Sequence, residues 1–296
     1  MTRLSKLGAC ALFVVAAALA FPVPAMAITY IPEQTMTALE GILPYALLPA
    51  ISCLIILLFL HARYLLGTKN ALKFFIYGYI IAWIFEDISV HTGLIFGLYY
   101  FPDMMGPKLD VIPFAIPMLW IMCFYTSWYL TNLLLDGSPI QTNFSTGRNL
   151  AGAFIGAFIL TSMDLTTDPF ATANGFWIWP NGGTFFGEPI HNFVGWYLTG
   201  AFTFFVHALI MKKDIAKDPI VLNSSRKRKW TIAMIIFYGC FWITYTFMNV
   251  HQSLGVPTFF AMGLPTALAL WKWVCWYRET KKQEALPNGA SVSLAE

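Results

Sequence analysis

Charge is the scarcest property of this 296-residue sequence. Only 11% of its residues are Asp, Glu, Lys or Arg, against about a quarter in an ordinary soluble domain. A water-facing surface cannot be built from so few charges. The net charge of +3 is too small to suggest a nucleic-acid partner. The five cysteines, Cys10, Cys53, Cys123, Cys240 and Cys275, all stand in apolar runs without C-x-x-C spacing, which argues against a disulfide framework or a zinc site. The five histidines form no H-x-x-x-H cluster of the kind a di-iron membrane oxygenase needs. No G-x-G-x-x-G and no phosphate-binding loop is present, so no nucleotide or redox cofactor is expected.

What is abundant is apolar and aromatic. Hydrophobic residues make up 58% of the chain, aromatics 17%, and the mean hydropathy is +0.63. Seven apolar segments follow one another at about 41–61, 74–96, 112–134, 149–163, 190–211, 230–250 and 254–276. Each approaches the roughly 20 residues that cross a bilayer core, the fourth being the shortest. None alternates like the strand of a membrane barrel. The expected fold is therefore all-α, a polytopic membrane helix bundle. Trp and Tyr favour the membrane interface, but 26 Phe and 11 Trp exceed that need and point to a surface for a large, flat, apolar ligand.

The N-terminus reads as a leader. Arg3 and Lys6 precede an apolar run from Leu7 to Phe21, followed by Pro22, Pro24 and the small-x-small site at Ala25, Met26 and Ala27. That order predicts a signal peptide over 1–27, a membrane domain over 28–282 with seven spans (eight if the leader is retained), and a disordered cytoplasmic tail over 283–296. Lys and Arg set the orientation. One set of loops and the tail hold Arg63, Lys69, Lys73, Arg148, Lys212, Lys213, Lys217, Arg226 to Lys229, Arg278, Lys281 and Lys282, and the opposite loops hold only Lys108. The positive-inside rule predicts a multi-pass protein of the cytoplasmic membrane with its C-terminus in the cytoplasm.

Within this frame Glu86 and Asp87 stand out. Two adjacent carboxyls in a spanning segment cost several kcal/mol on insertion scales. Glu86 is 12 residues beyond Phe74, about 18 Å along a helix, which places it in the outer half of a roughly 30 Å core. Asp164 and Asp168 follow the fourth segment on the same side. Glu188, His191 and Asn192 open the fifth there, and Asn249 and His251 close the sixth. Each also has a plain structural reading. Asp87 and His91, four apart, can pair on one helix face. Asp168 and Pro169 resemble a turn start, and Glu188 with Pro189 a helix N-terminus. Gly93 and Gly97 form a G-x-x-x-G that lets helices approach. Trp177, Trp179 and Trp196 suit interfacial anchors, and His61 and His207 lie near the cytoplasmic ends.

The motif Glu86, Asp87, His91, Thr92, Gly93, Phe96, Gly97, Tyr99, Tyr100 resembles the signature of multi-span carotenoid biosynthesis proteins of the carotenoid hydratase (bisanhydrobacterioruberin hydratase) type. Two later stretches are similar to the same family. One joins Asp164, Asp168 and Pro169 to Trp177 and Trp179. The other runs from Phe185, Phe186 and Glu188 to Asn192, Gly195 and Trp196. The hydropathy pattern extends the likeness over about 41–277. This sequence departs from the pattern where a Tyr is expected in the Phe185–Phe186 pair and an aliphatic residue at Glu188.

The resemblance implies isoprenoid chemistry: water added across the terminal double bond of an acyclic carotenoid, lycopene-like or C50, by a lyase-type hydratase in membrane lipid without a cofactor or metal. A carboxylic acid would protonate the alkene, aromatic faces would stabilise the tertiary cation, and an oriented water would attack it. Glu86 is the first choice as acid, and Asp164 and Asn192 orient water. Asp168, Asp87 and His91 are second choices. Trp179, Trp196, Tyr99, Phe96 and Phe186 are the expected substrate contacts. Three alternatives stay open. A lycopene-cyclase-like enzyme would quench the same cation with an internal double bond. A metal site could use Glu86, Asp164, His191 and His251. A retinal-type pigment would need Lys272, which lies close to a cytoplasmic end. The oligomeric state is not legible.

Overall fold

A computed structural model describes residues 33–215, 229–247 and 251–285. The leader over 1–27 with Arg3 and Lys6, the basic residues Lys217 and Arg226 to Arg228, Asn249, and the tail from 286 onward lie outside the described residues.

Seven α-helices carry the chain: α1 (Glu33–Leu66), α2 (Thr68–Thr92), α3 (Ala115–Asp136), α4 (Thr146–Ala173), α5 (Ile190–Ile215), α6 (Ala233–Phe247) and α7 (Gly255–Ala285). Apart from single-residue bridges, the only paired strands among the described residues form a short antiparallel hairpin in the α2–α3 connection. Its strands are β1 (Lys108–Leu109) and β2 (Ile112–Pro113), with Lys108 opposite Pro113 and Leu109 opposite Ile112. The protein is an all-α membrane bundle.

Six of the helices are long and apolar enough to cross a membrane; α2, which carries Lys69, Lys73, Glu86 and Asp87, is the exception. Its faces explain how it still belongs with the others. Leu72, Ile76, Ile80, Ile84 and Ile88 are all exposed, and at four-residue spacing they form one apolar stripe. Glu86, Ala82, Phe75 and Asn70 are buried on the other side. A helix that is apolar outside and polar within is what a bilayer solvent selects, because lipid is the apolar phase and the polar groups must be satisfied by protein.

The central helix is α3: 78% of its spanning stretch is buried, against 28% for α1. Trp120, Phe124, Tyr125, Trp128 and Tyr129 are all buried there. Its C-terminus stops at Gly137, which takes the left-handed conformation and donates its N–H to Leu133 O. The next helix starts at Ser145, whose hydroxyl accepts from Arg148 N, the usual way a helix satisfies a free N-terminal N–H. Arg148 then clamps the two helices. Its Nε and Nη2 reach the Asp136 carboxylate at 2.6 and 3.0 Å, and Nη2 reaches Asn132 Oδ1 at 2.9 Å. The pair is buried and bidentate, the geometry in which removing one partner costs most.

Two expectations need correction. The fourth segment does not end near Met163. Helix α4 continues for 28 residues, through Asp164, Asp168 and Pro169, to Ala173. Hydropathy stops at Met163 because the next residues are polar, yet Asp164, Thr166 and Asp168 are buried in protein and not in lipid. So Asp168 and Pro169 do not start a turn. Nor do Gly93 and Gly97 pack helices. Both lie beyond α2 with positive φ, +72° and +86°, and Gly93 caps α2 by donating to Ser89 O.

Candidate functional site

The end of the bundle that holds Glu86, Asp164, Asp168 and Glu188 is closed by two loops, 93–114 and 174–189. They are tied by a two-way backbone bridge, Tyr100 N to Ile178 O and Ile178 N to Tyr100 O, both 3.0 Å. Trp179 Nε1 adds a bond to Phe96 O at 3.0 Å. Ser89, in the last turn of α2, folds the first loop back on its own helix: its hydroxyl accepts from Phe96 N at 2.7 Å and donates to Gly97 O. The reversal needs Gly97, where a Cβ would sit 3.0 Å from Pro189 Cγ in a backbone conformation side chains avoid. Gly195 serves a different purpose. A Cβ there would collide with the carbonyl oxygen of Ile95, so glycine lets α5 lie directly against this loop.

The reversal returns Tyr99 to Glu86. The Tyr99 hydroxyl donates to Glu86 Oε2, and Trp120 Nε1 donates to Oε1 at 2.6 Å. Glu86 is only 5% exposed, and each oxygen of its carboxyl has a fixed partner. Trp120 in turn stacks on Trp196 of α5, with ring centres 3.7 Å apart and planes 23° from parallel. Tyr99 lies on Trp179 at 5.3 Å.

These groups wall a cavity of about 690 Å³, counting its open mouth. Phe96, Tyr99, Trp120, Trp177, Trp179 and Trp196 supply its aromatic faces, and Glu86, Asp168, Thr167 and Asn192 its polar groups. Two carboxyls borne on separate helices thus face one mainly aromatic space.

Behind Asp168 stand two more acids. Asn192, in the first turn of α5, directs its amide nitrogen at three carboxyls: Asp168 Oδ2 at 2.8 Å, Glu188 Oε2 at 3.0 Å and Asp164 Oδ2 at 3.3 Å. All four residues are 3% exposed or less. Helix α4 presents Asp164 and Asp168 on one face because they are four residues apart. Glu188 is fixed in the loop by its reciprocal backbone bonds with Phe185. Burial, then the charge of Asp168, pushes the Glu188 carboxyl up to about 10. Desolvation disfavours the charged form, and a neighbouring anion adds to it.

The expected residues divide plainly. Glu86, Asp168, Asn192, Phe96, Tyr99, Trp179 and Trp196 line the cavity; Asp164 stands behind the lining. Phe186 does not line it, and packs on Phe185 and on His251 at 4.4 Å. Asp87 and His91 turn away from the cavity. His91 Nε2 lies 2.8 Å from Asp110 and 3.7 Å from Asp87, in an exposed group on the hairpin side. The hydrogen bond from His91 holds the Asp110 carboxyl below its ordinary range. Asp87, His91 and Asp110 bring one candidate ligand atom each within 4.8 Å of one another, but exposed acidic groups of this kind are common without an ion. Among the described residues, Glu86, Asp164, His191 and His251 do not gather into a metal-holding set. Lys272 rests against Trp271 and does not line the cavity. Trp120, Thr167, Phe101, Phe176 and Cys123 also line the cavity, and no motif in the sequence singles them out. Trp120 carries a signal only in retrospect, as a Trp inside a spanning segment whose N–H must find an acceptor.

Residues 42–268 match the profile of the family described as carotenoid biosynthesis protein. The chain belongs to the carotenoid biosynthesis protein family. That span includes all seven helices in whole or in part and the entire cavity, so this multi-pass carotenoid biosynthesis protein owes its aromatic chamber to the part of the chain the family shares. It is also similar to the bisanhydrobacterioruberin hydratase of Haloarcula japonica, 31% identical over 117 residues, which are 39% of this chain and 37% of that protein. The chain thus spans little more than a third of that relative's length. No solved structure matches it.

Proposed function

We propose that this carotenoid biosynthesis protein hydrates the end-group double bond of an acyclic carotenoid. The observation that carries the reading is the pair of carboxyls, Glu86 and Asp168, facing one aromatic cavity. In the proposed reaction Glu86 gives its proton to the CH carbon of the terminal isopropylidene double bond, and the carbon that bears the two methyl groups becomes a tertiary cation. Tyr99 and Trp120 stabilise the carboxylate left behind, since both donors already point at its oxygens. The faces of Trp196 and Trp179 lie where a cation gains from aromatic quadrupoles. Water held by Asp168 and Asn192 attacks the cation, and its surplus proton passes to Asp168. One water is added, and a proton returning from Asp168 to Glu86 restores the site. Asp168 takes the water-orienting part because it lines the cavity and Asp164 does not. The polar groups Thr167, Asp168 and Asn192 in the lining favour water over an internal double bond as the group that quenches the cation.

Expression in a lycopene-producing bacterial host tests this directly. Pigment mass should rise by one water for each reacted end. A pigment of unchanged mass but altered absorption would point to cyclisation.

The same reading puts the cavity in the outer half of the membrane, with the C-terminus in the cytoplasm. It rests on the distribution of Lys and Arg. A reporter fused after Lys282 should read as cytoplasmic, and one inserted at Gly182, an exposed turn, as external. The reverse result would place the cavity in the cytoplasmic leaflet.

A further inference from the structure

Asp168 in the cavity lining and the two acids behind it, Asp164 and Glu188, form one buried cluster. No Lys or Arg among the described residues is ion-paired with Asp164, Asp168 or Glu188. Among the described residues the one fixed donor aimed at all three is the Asn192 amide nitrogen, which has two protons for three carboxyls. One oxygen on each acid, Asp164 Oδ1, Asp168 Oδ1 and Glu188 Oε1, is buried and receives no N–H or hydroxyl bond. Asp168 is the middle member, in side-chain hydrogen-bonding reach of Asp164, Asn192 and Glu188. Three anions in this space would repel one another with only that one amide to offset the repulsion. Protons shared between the carboxyls remove both problems at once. They cancel charge, and they supply donors to oxygens that no other group reaches.

We propose that Asp164, Asp168 and Glu188 hold two protons between them, that the single negative charge rests on Asp168, and that Glu188 is a positioning residue keeping Asp168 in its proton-accepting form. Asp164 and Glu188 each donate to Asp168, and Asn192 adds a third bond. Asp168 then meets the cavity as a stabilised carboxylate, ready to take the proton of the attacking water. Among the described residues the other titratable groups that act on the cluster are Glu86 on α2, Tyr99 in the loop, Cys123 on α3 and Tyr245 on α6; none of them is a cation that could substitute for the shared protons.

One arm of the test is independent of activity and the other rests on the hydration reading. Infrared spectra of the full chain in lipid vesicles near neutral pH should contain protonated-carboxyl bands from this cluster. Asp164→Asn and Glu188→Gln should each remove one band. If neither variant removes a band, or if the bands change on adding and then chelating a divalent cation, the shared-proton cluster is wrong. In the second arm, Glu188→Leu deletes a donor to Asp168. A hydrogen bond to a charged group is worth about 1.5–3 kcal/mol, so the acid limb of the pH–rate profile should move to higher pH by about one unit or more. The sign follows because Asp168 without that donor holds its proton more tightly and is ionised only at higher pH. Glu188→Gln, whose amide can still donate, should leave the limb near its wild-type position. Superimposable profiles for Glu188→Leu and the wild type would overturn the positioning role. If Glu188→Leu does not accumulate in membranes, the bands of the two amide variants decide. If the wild type makes no hydrated pigment but the bands behave as stated, the hydration reading fails and the cluster stands.

Discussion

Glu86→Gln is expected to lower hydration about 100-fold or more, the lower range for removing a general acid. The amide matches the carboxyl in size, but it has no acidic proton to give. Fit in the site should survive in part. The carbonyl oxygen of the introduced amide can accept one of the two bonds that Tyr99 and Trp120 make to Glu86, so the protein level in membranes should change little. Asp87→Asn is the control. Asp87 faces His91 on the exposed side of α2, and this variant should retain most activity. Pigment mass analysis alongside immunodetection of the protein separates loss of chemistry from loss of protein. Activity in Glu86→Gln at normal protein level would remove Glu86 from the reaction, and inactivity of Asp87→Asn would mean that the exposed cluster takes part in it.

Asp168→Asn should cause a loss of similar size for the opposite reason. It leaves the proton donor intact and removes the group that accepts the proton of the attacking water. An uncaptured cation in an apolar site has another exit, which is loss of a proton to re-form an alkene. The variant should therefore accumulate no hydrated product and return starting carotenoid or a double-bond isomer. Asp164→Asn, one step back from the cavity, should be milder, because its effect passes through Asp168. Chromatography of the pigments distinguishes the cases. Full hydration by Asp168→Asn would place the acceptor elsewhere, and a dead Asp164→Asn beside an active Asp168→Asn would exchange their parts.

Much of this protein is determined by its sequence alone, because hydropathy reports the solvent directly. Apolar segments of bilayer length specify an all-α membrane bundle whatever their packing, since only a helix satisfies its own backbone in lipid. A carboxyl such as Glu86, deep in one of them, must point inward. The clustering of Glu86, Asp168 and Asn192 at one end also follows from helix counting. What sequence could not supply is which way each polar residue faces and what reaches it from another segment. Helix α4 reads as short because Asp164 and Asp168 interrupt its apolar run, yet burial against Asn192 and Glu188 extends it by more than two turns. Trp120 reads as one more membrane aromatic, and it is the donor that holds Glu86. Phe186 and His91 share motifs with true lining residues but face elsewhere: Phe186 sits in a loop that reverses at Gly187, and His91 is five residues beyond Glu86 on α2, about 140° further round the helix. Tertiary structure alone decided these points. A hydrogen bond between residues 34 positions apart, such as that from Trp120 to Glu86, depends on how two helices lie side by side, and no local pattern in either helix records that.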